Sequence, residues 1–269
     1  MRNCLPSNQA TGSATMKLSS LVNKALLYFG ARLVRVKKEP DASPGNVHPL
    51  DADSPDGTSI EVRKLLNLVA YTATNNVSYS AQDFQGAYHT LRIAGHEFKG
   101  QRDPEQRLQD VPFNFDGASV LDLGCNQGGM LFSIAGRIKL GVGIDYDYKM
   151  INAANRIRSY GAVTNLDFYV FDLEKENLEL LRNFTHAKVD IVFLLSVCMW
   201  LKNWKSVINT ARSISNVLLF ESNGSVEQQQ EQEACLRATY ADVAIVREAS
   251  TDDPLQRKRR LFLCHAHAS

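Results

Sequence analysis

Val120-Leu121-Asp122-Leu123-Gly124-Cys125-Asn126-Gln127-Gly128-Gly129 decides the fold class of this chain. An apolar run breaks into a glycine-rich turn, and Met130, Leu131, Ile134, Ala135 and Ile138 then recur at helical spacing. The stretch reads as a buried strand, a ligand loop and a helix. Glycines at 124 and 128 accept positive φ and leave no Cβ between backbone and ligand. A nucleotide-type site also needs an acid about 20 residues on, at the end of the next strand, for the ribose hydroxyls. Gly141-Val142-Gly143-Ile144-Asp145 supplies it.

Asp122 separates two ligand classes. A dinucleotide turn holds a pyrophosphate on bare amides and a helix N-terminus, and an acid two residues before the first glycine would repel that group. A cationic ligand fits better, and NAD is expected not to bind. Asp122-Leu123-Gly124-Cys125-Asn126-Gln127-Gly128 resembles the first motif, D-x-G-x-G-x-G, of the class I S-adenosylmethionine-dependent methyltransferases. It departs only at Asn126, and asparagine enters the left-handed region readily. The other reading is a glycine-rich turn of another α/β fold.

Composition bounds the rest. The chain has 269 residues, 44% apolar, with a formal net charge of +1, so no global basic field announces nucleic acid. Cys4, Cys125, Cys198, Cys235 and Cys264 are odd in number, scattered and without a C-x-x-C pair, which favours reduced thiols over disulfides and predicts no metal site. The most apolar segment, 191–201, is far shorter than the roughly 20 residues of a membrane span, and 1–15 lacks the apolar core of a secretory signal. A cytoplasmic location is expected, with peripheral membrane contact through 17–38 as an added reading.

Four regions are expected. Residues 1–15 read as a disordered or expression-derived tail. Residues 16–57 hold a basic amphipathic helix over 17–38, which would lie on an anionic membrane, a partner or its own domain, followed by a Pro/Asp/Gly/Ser linker. Residues 58–118 form a helical and lid segment: a helix to about 73 opened by Thr58 and Glu61, a short strand over 88–93, and a short helix capped by Asp103 with Pro104. Residues 119–269 alternate strands (119–123, 142–145, 166–171, 189–195, 216–221) with helices (129–139, 147–159, 174–183, 201–214), the pattern of a parallel sheet covered on both faces. The strands 241–247 and 260–265 form a closing hairpin. The fold class is α/β: a Rossmann-like, seven-stranded, mostly parallel sheet with an antiparallel C-terminal hairpin and an N-terminal helical extension. The resemblance implies this same order of elements over 119–265.

It also implies the ligand contacts. Asp122 lies beneath the methionine portion of S-adenosylmethionine, the backbone of Gly124, Cys125, Asn126 and Gly128 lines it, and Asp145 beside Tyr146 takes the ribose. Asp172 and Leu173, after the third strand, serve the adenine, and Ser196 closes the fourth strand. Asp145 and Asp172 would alternatively serve as helix N-caps. S-adenosyl-L-homocysteine is the expected product.

Methyl transfer from a sulfonium chiefly requires position, orientation and, where needed, a base. His89 is the first candidate base and Glu221 the second, with base, clamp and cap all open for the latter. Tyr88, Arg102, Cys198 and Trp200 are the expected acceptor-side residues, although a lone Cys198 also reads as a small core hydrophobe, and Trp200, Trp204, Val207, Ile208 and Ala211 share helical spacing. The fourth strand lacks an Asn/Asp-Pro-Pro-aromatic sequence, which turns the expectation toward oxygen acceptors. Tyr88-His89, Ile93, Gly95, Gly100 and Arg107-Leu108 resemble a subgroup holding tRNA wobble-uridine alkyltransferases and glycan or natural-product methyltransferases. A small-molecule or saccharide acceptor is therefore expected, with RNA, touched by Arg257-Lys258-Arg259-Arg260, as the alternative. A cofactor-binding protein without catalysis is the third reading.

Overall fold

The computed structural model describes residues 60–72, 88–93, 95–185, 187–251 and 258–267, all within the unit Ala52–Ser269. The expected tail, the basic stripe of 17–38 and the linker lie outside the described residues. Two short strands, β1 (Leu91–Ile93) and β2 (His96–Phe98), pair as a hairpin between helix α1 (Ile60–Thr72) and the short α2 (Pro104–Leu108). Asp103 caps α2 by accepting from the Glu105 N–H, with Pro104 at the first helical position.

The remaining strands form one sheet: β3 (Ser119–Leu123), β4 (Leu140–Asp145), β5 (Leu166–Val170), β6 (Ile191–Leu195), β7 (Val217–Glu221), β8 (Asp242–Arg247) and β9 (Leu261–His265). Their order is β5-β4-β3-β6-β7-β9-β8, parallel except that β9 runs against both β7 and β8. Five parallel strands with an antiparallel closing pair match the class expected from the sequence. Successive strands step outward from β3 through β4 to β5 and then return to β6 on its other side, so a crevice opens at the carboxyl ends of β3 and β6.

Period-2 alternation gives the sheet two buried faces. Leu121, Leu123, Val192, Leu194, Leu218 and Phe220 join one core with helices α6 (Trp204–Ile214) and α7 (Val226–Thr239). Their neighbours Val120, Ile191, Phe193 and Leu219 join a second with α3 (Gly129–Ile134). A third cluster sets Val62, Leu65 and Val69 of α1 against the β1–β2 hairpin and Ile157 of α4 (Tyr148–Tyr160). No helix among the described residues is long and apolar enough to cross a membrane.

Several elements depart from expectation. Helix α3 ends at Ile134 rather than near 139, because Gly136 follows within one turn and weakens helix continuation. The helix expected over 174–183 is instead a turn, a 3₁₀ segment (Leu178–Leu181) and α5 (Arg182–Thr185). Asp172 takes the Glu174 and Lys175 N–H groups and Asn177 takes that of Glu179, so side chains begin two separate turns. Trp200 lies in a 3₁₀ segment (Cys198–Trp200) ahead of α6, not in the helix with Trp204. Helix α7 escaped the periodicity reading: its buried residues are Gln232 and Leu236, so its sequence carries almost no apolar stripe.

Candidate functional site

A cavity of about 470 Å³ opens at the carboxyl ends of β3 to β6. The turn after β3 gives it Gly124 and Asn126, the end of β4 gives Asp145 and Tyr146, and the end of β5 gives Asp172 and Leu173. Ser196, Val197 and Trp200 follow β6, and Tyr88 reaches in from the segment ahead of the sheet. Val197, Met150 and Phe171 were not anticipated: apolar residues in two loops and on the first turn of α4 carry no motif.

Left-handed backbone builds the turn: φ is 81° at Gly124, 54° at Asn126 and 80° at Gly128. Asparagine thus takes the conformation that the resembled motif gives to glycine. The Gly124 and Cys125 N–H groups both donate to the Ile144 carbonyl at 2.9 Å, tying the turn to β4. Gly124 admits a neighbouring side chain, since Val197 Cγ2 lies 2.6 Å from where its Cβ would stand. Gly128 and Cys125 are not among the residues that line the cavity. The Phe168 ring fills the space beside Gly128, and the Cys125 thiol is buried and pushed up by that burial.

Asp145 holds the turn in place. One oxygen accepts from the Asn126 N–H and the other from the Asp147 N–H, both at 2.9 Å. Burial pushes its carboxyl up to about 6 despite those bonds. Asp122 is buried, and burial raises it to about 7, with the Arg107 charge opposing and Asp145 adding. Its Oδ2 has no hydrogen-bond partner among the described residues. Asp172 combines a cap with a cavity position: Lys175 Nζ at 2.7 Å holds it below the usual carboxylate range.

Four expected roles need correction. His89 does not line the cavity; it is buried, bridges backbone-to-backbone toward Arg102, and its Cβ and ring occupy the space a Cβ on Gly129 would need. That placement sets the ring against α3 rather than on the cavity wall. Glu221 is no base either. Arg102 grips it with two 2.8 Å bonds, Arg107 adds a third at 2.8 Å, and the Ser196 hydroxyl donates to it. Burial favours the protonated form, but Arg107 and Arg102 overcome it and hold the carboxyl far below its ordinary value. Arg102, in turn, is fully buried on Glu221 and Ser250 rather than presented to an acceptor. Cys198 is likewise a core residue, its thiol pushed up by burial. Tyr88, whose hydroxyl lies 3.5 Å from Arg102, and the half-exposed Trp200 remain on the cavity wall.

The sequence of the methyltransferase-domain family matches residues 114–258, more than half of the chain. Among solved structures, the N-terminal domain of EvdMO1, crystallised with S-adenosylhomocysteine (SAH) and D-fucose, is 13% identical. The match covers 77% of this chain and 97% of that one with a TM-score of 0.55. The bifunctional kinase-methyltransferase WbdD is 19% identical over 74% of this chain and 46% of its own, with a TM-score of 0.51. Both likenesses are of fold. No curated protein sequence matches the chain.

Proposed function

The chain belongs to the methyltransferase-domain family, and on that premise we propose that it transfers the methyl group of S-adenosylmethionine to an oxygen of a small-molecule or saccharide acceptor. The cavity carries this reading, because its two ends differ in chemistry. One end offers bare backbone at Gly124 and Asn126, the Asp145 carboxylate and, behind them, the unsatisfied oxygen of Asp122. A ligand with a ribose and two positive charges suits those groups: hydroxyls for Asp145, an ammonium for the field of Asp122. The other end, Tyr88, Ser196, Val197 and Trp200, is uncharged.

Bound there, S-adenosylmethionine supplies an electrophilic methyl group on a sulfonium. The protein's share is orientation and exclusion of water. Val197 closes against the donor turn, Trp200 offers a flat apolar face of the kind sugar rings stack on, and Tyr88 brings a hydroxyl to the acceptor end, the Ser196 hydroxyl on the same wall being donated to Glu221. With His89 and Glu221 removed from the role of base, Tyr88 is the polar side chain that takes their place at this end. The rim weighs against RNA, because Asp145, Asp147, Asp172 and Glu174 face it with Lys175 alone opposing them in sign among its described lining residues.

Calorimetry tests the donor half: S-adenosylmethionine and SAH should bind and NAD should not, and equal or tighter binding of NAD would sink the reading. Mass spectrometry of reactions containing D-fucose and other neutral saccharides tests the acceptor half. The shared fold with EvdMO1 makes SAH and D-fucose the first pair to try.

A further inference from the structure

Asn223, two residues beyond β7, has no place in the site described so far. It is 1% exposed and every polar group on it is engaged. Its Nδ2 donates to the Ser196 carbonyl, and its Oδ1 accepts from the Met199 N–H at 3.0 Å. Its own N–H donates to Gln232 Oε1 at 3.1 Å, and its carbonyl accepts from Gln232 Nε2 at 2.9 Å. Gln232 is 2% exposed on α7. One carboxamide therefore bridges both ends of the turn 196–199, while a second, fixed to a helix, clamps the backbone that carries the first.

That turn needs such a device. Ser196 has φ 62°, a left-handed conformation that costs a serine free energy unless its surroundings over-determine it. The same turn lays Val197 on Gly124 and sets Ser196 and Trp200 on the cavity wall. Asparagine suits the task because it presents a donor and an acceptor side by side, one for a carbonyl and one for an N–H. Aspartate, of the same shape, would set a carboxylate against the Ser196 carbonyl.

We propose that Asn223, clamped by Gln232, is a positioning residue for methyl transfer: it holds the Ser196–Trp200 turn in the left-handed form that seats Val197 on the donor turn and fixes the acceptor wall. The inference rests on the cavity being the methyl-transfer site, and the test separates the two. The chain has two tryptophans, so Trp204→Phe leaves Trp200 as the reporter of the turn. In that background Asn223→Asp should raise acrylamide quenching of Trp200 and weaken SAH binding about tenfold by calorimetry, with the circular dichroism of the parent retained. Gln232→Leu, which leaves the Asn223 side chain intact, should move both readings less and in the same direction.

An unchanged Trp200 signal in folded Asn223→Asp overturns the proposal. If that variant does not fold, Gln232→Leu decides in the same way. A parent that fails to bind SAH while Trp200 responds to Asn223→Asp defeats the reading of the cavity and, with it, the methyl-transfer role given to the turn.

Discussion

The Cβ of His89 lies 2.4 Å from the point where a Cβ on Gly129 would stand, and its Cγ lies 2.6 Å from it. The first residue of α3 thus receives the ring of the segment that precedes the sheet. Gly129→Ala should destabilise the fold by about 1–3 kcal/mol through overpacking. His89→Gly vacates that space, Cβ included, so the double variant should be more stable than the sum of the single effects by about 0.5–3 kcal/mol. Thermal or urea unfolding of the four proteins measures the coupling; strict additivity would show that the two residues do not meet. Turnover of folded His89→Ala at saturation should fall by much less than the about 10²–10⁴-fold that loss of a general base brings.

Asp145 joins two tasks, holding the Asn126 and Asp147 N–H groups and facing the cavity. Asp145→Asn keeps the shape and removes the charge and one acceptor. SAH affinity should drop by about 1.5–3 kcal/mol, the worth of hydrogen bonds to a charged group. Calorimetry checks it, and an unchanged affinity would remove Asp145 from the ligand site.

Two carboxyls set the pH dependence. Burial first, with the neighbouring acid adding and Arg107 opposing, lifts Asp122 from 3.8 to about 7, and burial lifts Asp145 from 3.8 to about 6. The folded protein keeps protons that the unfolded chain has released. Their contribution to stability is therefore complete below the unfolded values and lost as pH rises through about 6 and about 7, at about 1.4 kcal/mol per unit for each group. A cationic ligand needs the ionised forms, so affinity for S-adenosylmethionine should rise over the same window in which the unliganded protein weakens. Paired melting and calorimetry between pH 5 and about 8 resolve the opposing trends; affinity that falls with pH would contradict them.

Glu221→Gln removes the anion between two buried guanidiniums. Arg102 and Arg107 lie in the interior with the Glu221 carboxylate between them. Removing that charge should cost about 3–5 kcal/mol of stability. Any loss of turnover should track unfolding rather than a shifted basic limb of the pH–rate profile. Differential scanning calorimetry beside that profile distinguishes the two.

What the sequence made legible was local. The run from Val120 to Gly129 specifies its strand, turn and helix within ten residues, and Asp145 follows at the spacing a nucleotide-type site requires. The direction in which His89 and Glu221 point depends on partners far away in the chain, and no spacing rule reaches them. Asn223 is likewise silent in sequence, an asparagine in a turn until Ser196 and Gln232 are seen beside it. Helix α7 was hidden for another reason: a helix whose buried positions include a glutamine gives hydrophobic periodicity little to detect.

The bond between Arg102 and Glu221 spans 119 residues, which orders events during synthesis. At about 5–20 residues per second, Glu221 follows Arg102 by about 6–24 s. Through that interval the segment ahead of the sheet lacks the Glu221 carboxylate that receives both guanidiniums. Docking of that segment is then among the last steps of folding. A chain halted before β7 would expose Arg102 and Arg107 to proteases, and chaperones would meet them there.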